Sequence, residues 1–147
     1  MPHEHAINLN TNNPGIIAVN FQNNNKYKMK ESFSNFNLKN ELLKAINELG
    51  FKHPTPIQSK VIPHILFSKQ DLIASAQTGT GKTAAFGLPL LELTHTDKIQ
   101  TLILCPTREL CLHIAKDLTN YSKYLKNILP SKRKIFMLIL TGVSTSR

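Results

Sequence analysis

The chain has 147 residues, of which 41% are hydrophobic and 18% are charged, and its formal net charge is +9. This length suits one domain and is too short for two large lobes, and the composition is that of a globular protein rather than a disordered chain. No apolar run approaches the roughly 20 residues that span a bilayer, and the apolar residues 15–19 are too few for an export signal. The sequence therefore predicts a cytoplasmic or nuclear protein.

The positive charge is concentrated towards the end of the chain. From Lys116 onward there are seven Lys or Arg residues and one acid, Asp117, whereas residues 31–98 are nearly balanced. Basic side chains gain affinity for nucleic acids by releasing condensed counterions, so RNA or another polyanion is a candidate partner. A solvated basic face without a partner is the alternative.

Taken in chain order, residues 1–30 come first and predict a flexible arm, because asparagine recurs there without hydrophobic periodicity. The first predicted helix covers residues 38–49, where apolar residues recur at helical spacing. Gly50 follows at the position of a left-handed C-terminal cap. Thr55 is the predicted N-cap of a second helix with Pro56 at its first position. One face of that helix carries Ile57, Val61, Ile62, Ile65 and Leu66.

Apolar runs alternate with helical segments through the rest of the chain. Strands are predicted at residues 71–75 and 101–105, and a third apolar run covers residues 135–140. Helices are predicted over about residues 81–94 and from residue 106 to near Tyr124. Uninterrupted strands that alternate with helices predict an α/β fold with a parallel sheet covered by helices on both faces.

Cys105 and Cys111, the two cysteines of the chain, flank the junction between the second predicted strand and its helix. Two cysteines in a chain with no apparent export signal are typical of buried thiols rather than of a disulfide or a metal site.

The junction after the first predicted strand carries the clearest chemical pattern. Glycines at 79 and 81 allow backbone N–H groups to curl into an anion-binding nest. Lys82 supplies a cation for the β- and γ-phosphates, Thr83 offers a hydroxyl to Mg²⁺, and the helix presents its positive end. A turn that only links strand to helix would explain the glycines but not Lys82 and Thr83 in register. The pattern predicts a Walker-type phosphate loop formed by Ala76, Gln77, Thr78, Gly79, Thr80, Gly81, Lys82 and Thr83.

Three separate stretches resemble DEAD-box RNA helicases. Residues 50–58 resemble the Q motif of that family, and Phe33 lies at the upstream aromatic position that accompanies it. Residues 76–83 resemble the family's own phosphate loop, including the alanine at its start, and residues 106–110 resemble motif Ia. Together they span about residues 31–118 in the family's order and spacing.

The resemblance implies a partial RecA-like P-loop domain within the α/β class. It divides the chain into a flexible Asn-rich arm at 1–30, a Q-motif region at 31–59 and a truncated ATP-binding domain at 60–147. ATP and Mg²⁺ are the implied cofactors, with Thr83 as the Mg²⁺ contact.

For the adenine base, the resemblance implies that Gln58 reads its edge, which suits an amide that both donates and accepts. A polar residue on the exposed face of its helix is the alternative reading of Gln58. Phe51 would stack on the base, seal the end of the preceding helix, or do both. Phe33 is expected to pack in support of Gln58 rather than to contact the ligand.

For RNA, the resemblance places motif Ia against the nucleic-acid backbone. Pro106, Thr107 and Arg108, together with Gly142 further on, would contact phosphates, so binding would tolerate any sequence. An ion pair between Arg108 and Glu109 or another carboxylate is the alternative.

The acids that ATP hydrolysis requires are missing from the pattern. One carboxylate must hold Mg²⁺ and another must polarise the attacking water, and the chain has no Asp or Glu after Asp117. In the family these acids belong to the Asp-Glu-Ala-Asp motif, and a second RecA-like lobe completes the enzyme.

The sequence thus predicts the ATP-binding N-terminal portion of an RNA helicase, whose full-length form couples ATP binding and hydrolysis to RNA unwinding or remodelling. It is an enzyme by family, but the 147-residue chain alone is expected not to turn over ATP, since no catalytic set is complete. The alternatives are a non-catalytic RNA- or nucleotide-binding module and a fragment of another P-loop NTPase.

Overall fold

The computed structural model describes residues 16–21, 31–94 and 100–125. None of the helices within these ranges has the length and apolar character that crossing a bilayer requires. A short 3-10 turn at Phe33–Phe36 precedes the first helix. The regular elements are β1 (Ile16–Phe21), α1 (Asn40–Glu48), α2 (Pro56–Phe67), β2 (Asp71–Ala76), α3 (Lys82–Leu93) and α4 (Arg108–Tyr121).

The sheet of the described residues has two parallel strands, with Ile16 opposite Asp71 and Phe21 opposite Ala76. The prediction of a flexible arm is therefore wrong for Ile16–Phe21. β-Branched residues at the start of this segment favour a strand, and parallel pairing with β2 satisfies its backbone groups. The asparagine-rich surroundings hid this signal. The rest of the predicted arm lies outside the described residues.

Residues 101–105 are not a strand, so this prediction is wrong as well. An extended segment becomes a strand only where a neighbouring chain completes its ladder, and β1 rather than this segment pairs with β2. Its side chains still alternate, with Leu102 and Leu104 57% and 61% exposed and Cys105 buried. The third apolar run, residues 135–140, lies outside the described residues.

The predicted helix at 38–49 is confirmed as α1, with ends one or two residues shorter. Gly50 lies in the left-handed conformation at φ 83°, and its N–H donates to the Asn47 carbonyl at 3.0 Å. At the other end, the N–H of Lys39 donates to Glu92 Oε2 at 2.6 Å, and the Lys39 ammonium bonds the Glu92 carbonyl. The carboxylate at the end of α3 thus caps the start of α1.

α2 and the start of α3 pack on one face of β2. On the opposite face Ile73 is 39% exposed, and α4 packs against α3 and α1. In the described part of the chain, helices therefore cover one face of β2, not both as predicted. The core on the covered face consists of Ile57, Val61 and Ala85, with partly buried Ile65, Leu72 and Ala76.

The larger core joins the 3-10 turn and α1 to α3 and α4. Gly87 permits a close approach between α3 and α4, since a Cβ there would lie 2.6 Å from Leu118 Cδ2. The buried residues of this larger core include Phe33, Leu42, Ile46, Ile62, Leu88, Cys105, Cys111, Leu118 and Tyr121.

Candidate nucleotide and nucleic-acid sites

The predicted phosphate loop is one continuous turn between β2 and α3. Gly79 and Gly81 both have positive φ, 80° and 84°, and α3 begins at Lys82. A Cβ at Gly81 would lie 2.3 Å from Gln58 Nε2, so only glycine fits there for both backbone and space. The two glycines thus shape the turn as the sequence predicted.

Lys82 turns back onto its own loop. Its Nζ donates to the carbonyl of Ala76 at 2.5 Å, and the Thr80 hydroxyl donates to the Gln77 carbonyl at 2.8 Å. The ammonium therefore lies across the loop between the end of β2 and the start of α3. An ammonium has three donors, so Lys82 can also bond an incoming phosphate, whose charged oxygen is a stronger acceptor than a carbonyl.

Gln58 lies beneath the loop with 2% of its surface exposed, the one buried polar side chain of the described residues. Its Oε1 accepts the N–H of Thr55 at 2.9 Å, and its Nε2 donates to the Gly81 carbonyl at 3.2 Å. The structure thus brings Gln58 to the phosphate loop instead of leaving it on an exposed helix face. Its predicted contact with adenine stays a prediction.

Thr55 is a site residue that the sequence analysis missed. It was predicted to be the N-cap of α2, as it is, but its hydroxyl also donates to the Thr80 carbonyl at 2.9 Å. Thr55 and Gln58 therefore hold two successive peptides of the loop. The Thr-x-x-Gln spacing of a capping box was the available signal, because it places both side chains at one helix end.

Phe51 is part of a row of aromatic rings. Its centroid lies 6.1 Å from Phe33 and 6.0 Å from Tyr121, and Phe33 contacts Phe36. The Phe51 N–H donates to the Ile46 carbonyl at 3.0 Å, and the side chain packs against the larger core at the end of α1. Phe51 is only partly buried, and its stacking on adenine remains a prediction.

A groove of about 590 Å³ lies between α2, β2 and α3, next to the loop. Its lining combines aliphatic residues of α2, β2 and α3 with Lys82 and with the polar residues Lys69 and Asp71. The volume is within the range of about 300–1,000 Å³ that ligand sites have. Neither Gln58 nor Phe51 lines it, so this groove and the predicted base contacts share only the phosphate loop through Lys82.

The second predicted site is the turn before α4, where Pro106, Thr107 and Arg108 are all exposed. Thr107 is the N-cap, and its hydroxyl accepts the N–H of Leu110 at 3.3 Å. The ion pairs within the described residues are Lys39–Glu92 and Lys123–Glu48, so Arg108 forms none with Glu109. The remaining predicted contact, Gly142, lies outside the described residues.

Within the same ranges, no group of three or more His, Cys, Asp or Glu side chains could hold a metal ion. Thr83, the predicted Mg²⁺ contact, is partly buried in the first turn of α3. A hydroxyl alone is a weak ligand for Mg²⁺, which is usually bound through carboxylates and substrate phosphates together. The ion would therefore arrive with the nucleotide.

A loop with two left-handed glycines, between a parallel strand and a helix that begins at a lysine, defines the P-loop class of nucleotide-binding folds. The family model for DEAD/DEAH box helicases matches residues 55–145, which is more than half of the chain. The chain therefore belongs to the DEAD/DEAH box helicase family, and the resemblance inferred from the sequence is confirmed.

Individual relatives agree with this assignment. The DEAD-box ATP-dependent RNA helicase CshA of Bacillus subtilis is 48% identical over 92 residues, which are 61% of this chain and 18% of that protein. The crystal structure of a DEAD box protein from Methanococcus jannaschii matches with 42% identity and a TM-score of 0.58, covering 61% of this chain and 25% of that one. Dbp5 of Saccharomyces cerevisiae, bound to RNA and ADP BeF3, matches with 30% identity and a TM-score of 0.63, covering 77% and 32%. The chain thus spans about a fifth of the length of the curated relative.

Proposed function

We propose that the chain is the ATP-binding portion of a cytoplasmic RNA helicase, whose complete form couples ATP binding and hydrolysis to RNA unwinding or remodelling. The observation that carries the proposal is that Lys82 and Gln58, predicted to contact opposite ends of ATP, both bond the same loop. A nucleotide can therefore engage both through one rearrangement.

The triphosphate enters by exchange of hydrogen bonds. Lys82 leaves the Ala76 carbonyl for a phosphate oxygen, and the amides at the start of α3 turn towards the added charge. Thr83, one residue further along α3, is placed to share Mg²⁺ with the same phosphates.

The adenine base is read by Gln58. A glutamine amide has two donor hydrogens and two acceptor lone pairs, and the bonds to Thr55 and Gly81 use one of each. One donor and one acceptor remain, which is what the N6/N7 edge of adenine requires. Guanine presents acceptors at both corresponding positions, so the site should prefer ATP to GTP.

RNA is bound at the turn before α4. Thr107, the exposed Arg108 and the free amides of the first helical turn offer donors to phosphate oxygens. Dbp5, a relative of known structure, is bound to RNA together with ADP BeF3, which supports RNA as the polyanion. Contacts made only to phosphates predict binding that depends on salt but not on sequence.

Turnover by the isolated chain is not expected. The predicted catalytic acids are absent from the sequence after Asp117, and phosphoryl transfer depends on charge neutralisation and positioning by such groups. Phosphate release by pure protein with RNA and ATP would contradict this part of the proposal.

The test is ATP binding by isothermal titration of wild type and Lys82→Ala. Loss of one bond between charged groups predicts at least about a tenfold weaker affinity. Lys44→Ala is the matched control, because Lys44 is exposed on α1 over the ring of Tyr124. Equal ATP affinity in wild type and Lys82→Ala would remove the site assignment.

A non-catalytic RNA-binding module is the second candidate function. It is favoured by the turn at 106–108, which is exposed and is capped by the Thr107 hydroxyl. RNA affinity measured against salt, with and without ATP, separates the two. A steep salt dependence that ATP leaves unchanged supports the module, whereas a change in RNA affinity with ATP supports the helicase portion.

A further inference from the structure

We propose that Tyr121 is a positioning residue for the adenine base, because its ring holds Phe51 in the orientation in which Phe51 stacks on the base. This role deepens the proposed function and rests on it, since it takes the predicted stacking of Phe51 as given. Tyr121 lies at the end of α4, far from Phe51 in the chain, and no sequence motif singled it out.

The backbone of Phe51 is fixed from both sides. Gly50 ends α1 in the left-handed conformation, and the Phe51 N–H donates to the Ile46 carbonyl at 3.0 Å. Two residues further along the chain, His53 Nδ1 donates to the Glu31 carbonyl at 3.3 Å. The torsions of the Phe51 side chain are therefore the freedom that remains to be restrained.

Two aromatic rings from distant parts of the chain restrain that side chain. The Phe51 centroid lies 6.1 Å from Phe33, with 36° between the ring planes, and 6.0 Å from Tyr121, with 63°. Both distances are in the range at which aromatic pairs attract each other. Phe33 and Tyr121 are each 5% exposed, whereas Phe51 is only partly buried. The two buried rings thus support Phe51 and leave part of it accessible to a ligand.

Tyr121 is itself held against α3. A Cβ at Gly87 would lie 3.7 Å from both Cδ2 and Cε2 of Tyr121, so glycine lets the backbone of α3 approach the ring. α3 is also the helix that begins at Lys82. On the other side, Phe51 lies at most about 14 Å along the connector from Thr55, whose hydroxyl bonds the phosphate loop. Phe51 is therefore tied to the loop region through both Tyr121 and the connector.

Loss of the ring at position 121 leaves Phe51 with one aromatic neighbour instead of two. Binding of adenine must then also order the Phe51 side chain, which weakens the contact with the base. We expect a loss comparable to one aromatic pair, about fivefold in affinity. The triphosphate is not affected, because the bonds that shape the loop come from Lys82, Gln58 and Thr55.

The experiment compares ATP with inorganic tripolyphosphate, which offers a chain of three phosphates without the nucleoside, by isothermal titration with Mg²⁺ present. The ratio of the two affinities measures what the nucleoside contributes. Tyr121→Leu keeps an apolar side chain but loses the ring, so ATP should bind about fivefold more weakly and tripolyphosphate as in wild type. Tyr121→Phe keeps the ring and should retain the wild-type ratio.

Ile114→Ala is the matched control. Ile114 is buried on the same face of α4, two turns before Tyr121, so its truncation lowers stability in urea without removing a ring from Phe51. The affinity ratio should stay at the wild-type value. An equal fall in ATP and tripolyphosphate affinity in Tyr121→Leu would show that the ring only stabilises the fold, and would overturn the positioning role.

A second measurement follows the residue at position 51 without a nucleotide. The chain has no tryptophan, so Phe51→Trp supplies a single fluorophore, whose anisotropy should fall when Tyr121→Leu is added. Unchanged anisotropy, or an unchanged affinity ratio in Tyr121→Leu, would overturn the positioning role. Should Tyr121→Leu fail to fold, Tyr121→Met replaces it in both measurements, because methionine fills irregular core space without a ring.

Phe51→Ala separates this role from the proposed function. If the affinity ratio falls in Phe51→Ala but not in Tyr121→Leu, Phe51 contacts the base and only the role of Tyr121 fails. If wild type and Phe51→Ala have the same ratio, Phe51 does not contact the base, and the predicted stacking fails together with the role of Tyr121.

Discussion

The two places where a helix starts after an extended segment differ in how they are held. The phosphate loop is closed by side chains from three positions, with Lys82, Gln58 and Thr55 each bonded to its carbonyls. The turn at 106–107 is exposed and held mainly by its own cap at Thr107. Bonds from α2 and from Lys82 therefore fix the shape of the loop, whereas the turn depends mainly on its own cap. We therefore expect the loop to be selective and the turn permissive.

Gly81→Ala should have the largest effect on the loop. A left-handed non-glycine residue costs about 1–2 kcal/mol, and the new Cβ would lie 2.3 Å from Gln58 Nε2. We expect lower stability in urea and no measurable ATP binding, with RNA binding retained.

Gly79→Ala is the matched control for this change, since Gly79 has φ 80° but nothing within 4 Å of a Cβ. It shares the backbone strain without the clash. Equal losses of stability and of ATP affinity in the two variants would show that the contact with Gln58 has no influence on the loop.

Gln58→Ala should come next. It leaves the Thr55 N–H and the Gly81 carbonyl without their partner, which costs about 1–3 kcal/mol for a buried group, and it removes the preference for ATP over GTP. Gln58→Glu separates the two hydrogen bonds, because a carboxylate can accept from Thr55 but cannot donate to Gly81. Unfolding in urea measures the loss of stability, and paired ATP and GTP titrations measure the loss of selectivity. Undiminished selectivity in Gln58→Ala would exclude an adenine contact.

Thr107→Ala tests the turn. Loss of an N-cap costs about 1 kcal/mol, and RNA affinity should fall severalfold while ATP affinity stays the same. Thr119→Ala is the control on the same helix, because the Thr119 hydroxyl bonds only the Ala115 carbonyl on an exposed face. RNA binding that responds equally to both variants would point to helix stability rather than to the turn.

Tyr121→Phe should have the smallest effect, visible only at high pH. Burial, with a smaller contribution from the negative charge of Asp117, raises the pKa of Tyr121 to about 12. The neutral phenol therefore contributes stability that is fully present below about pH 10, the unfolded value, and is lost as pH rises towards 12. The free energy of unfolding measured in urea should fall less steeply between these pH values in Tyr121→Phe than in wild type. Equal dependence of the unfolding free energy on pH in the two proteins would show that ionisation of the buried phenol does not affect stability.

Local patterns predicted the parts of the fold that depend on nearby residues. Gly50 after the leucine spacing of α1, and Thr55 with Pro56 before α2, marked helix ends correctly because caps are made within a few residues. Local patterns do not predict which strands pair. Ile16–Phe21 and residues 101–105 are both short apolar segments, but only Ile16–Phe21 pairs with β2.

The same limit applies to the candidate site. The glycines and Lys82 identified the loop, because its shape depends on the residues within it. The bonds that close it come from Thr55 and Gln58, more than 20 residues earlier in the chain. No short motif within the loop indicates that these two side chains bond its carbonyls.

The bond between Glu92 and the first turn of α1 has a practical consequence for dissecting the molecule. Glu92 lies in the last turn of α3 and bonds both the N–H and the ammonium of Lys39. The start of α1, which precedes the connector at residues 51–55, is therefore attached to the C-terminal end of α3. A protease that nicks this connector should leave two pieces that co-purify as one particle under native conditions. A protein of residues 60–147 alone lacks α1 and would lose the bonds between Lys39 and Glu92 at the end of α3.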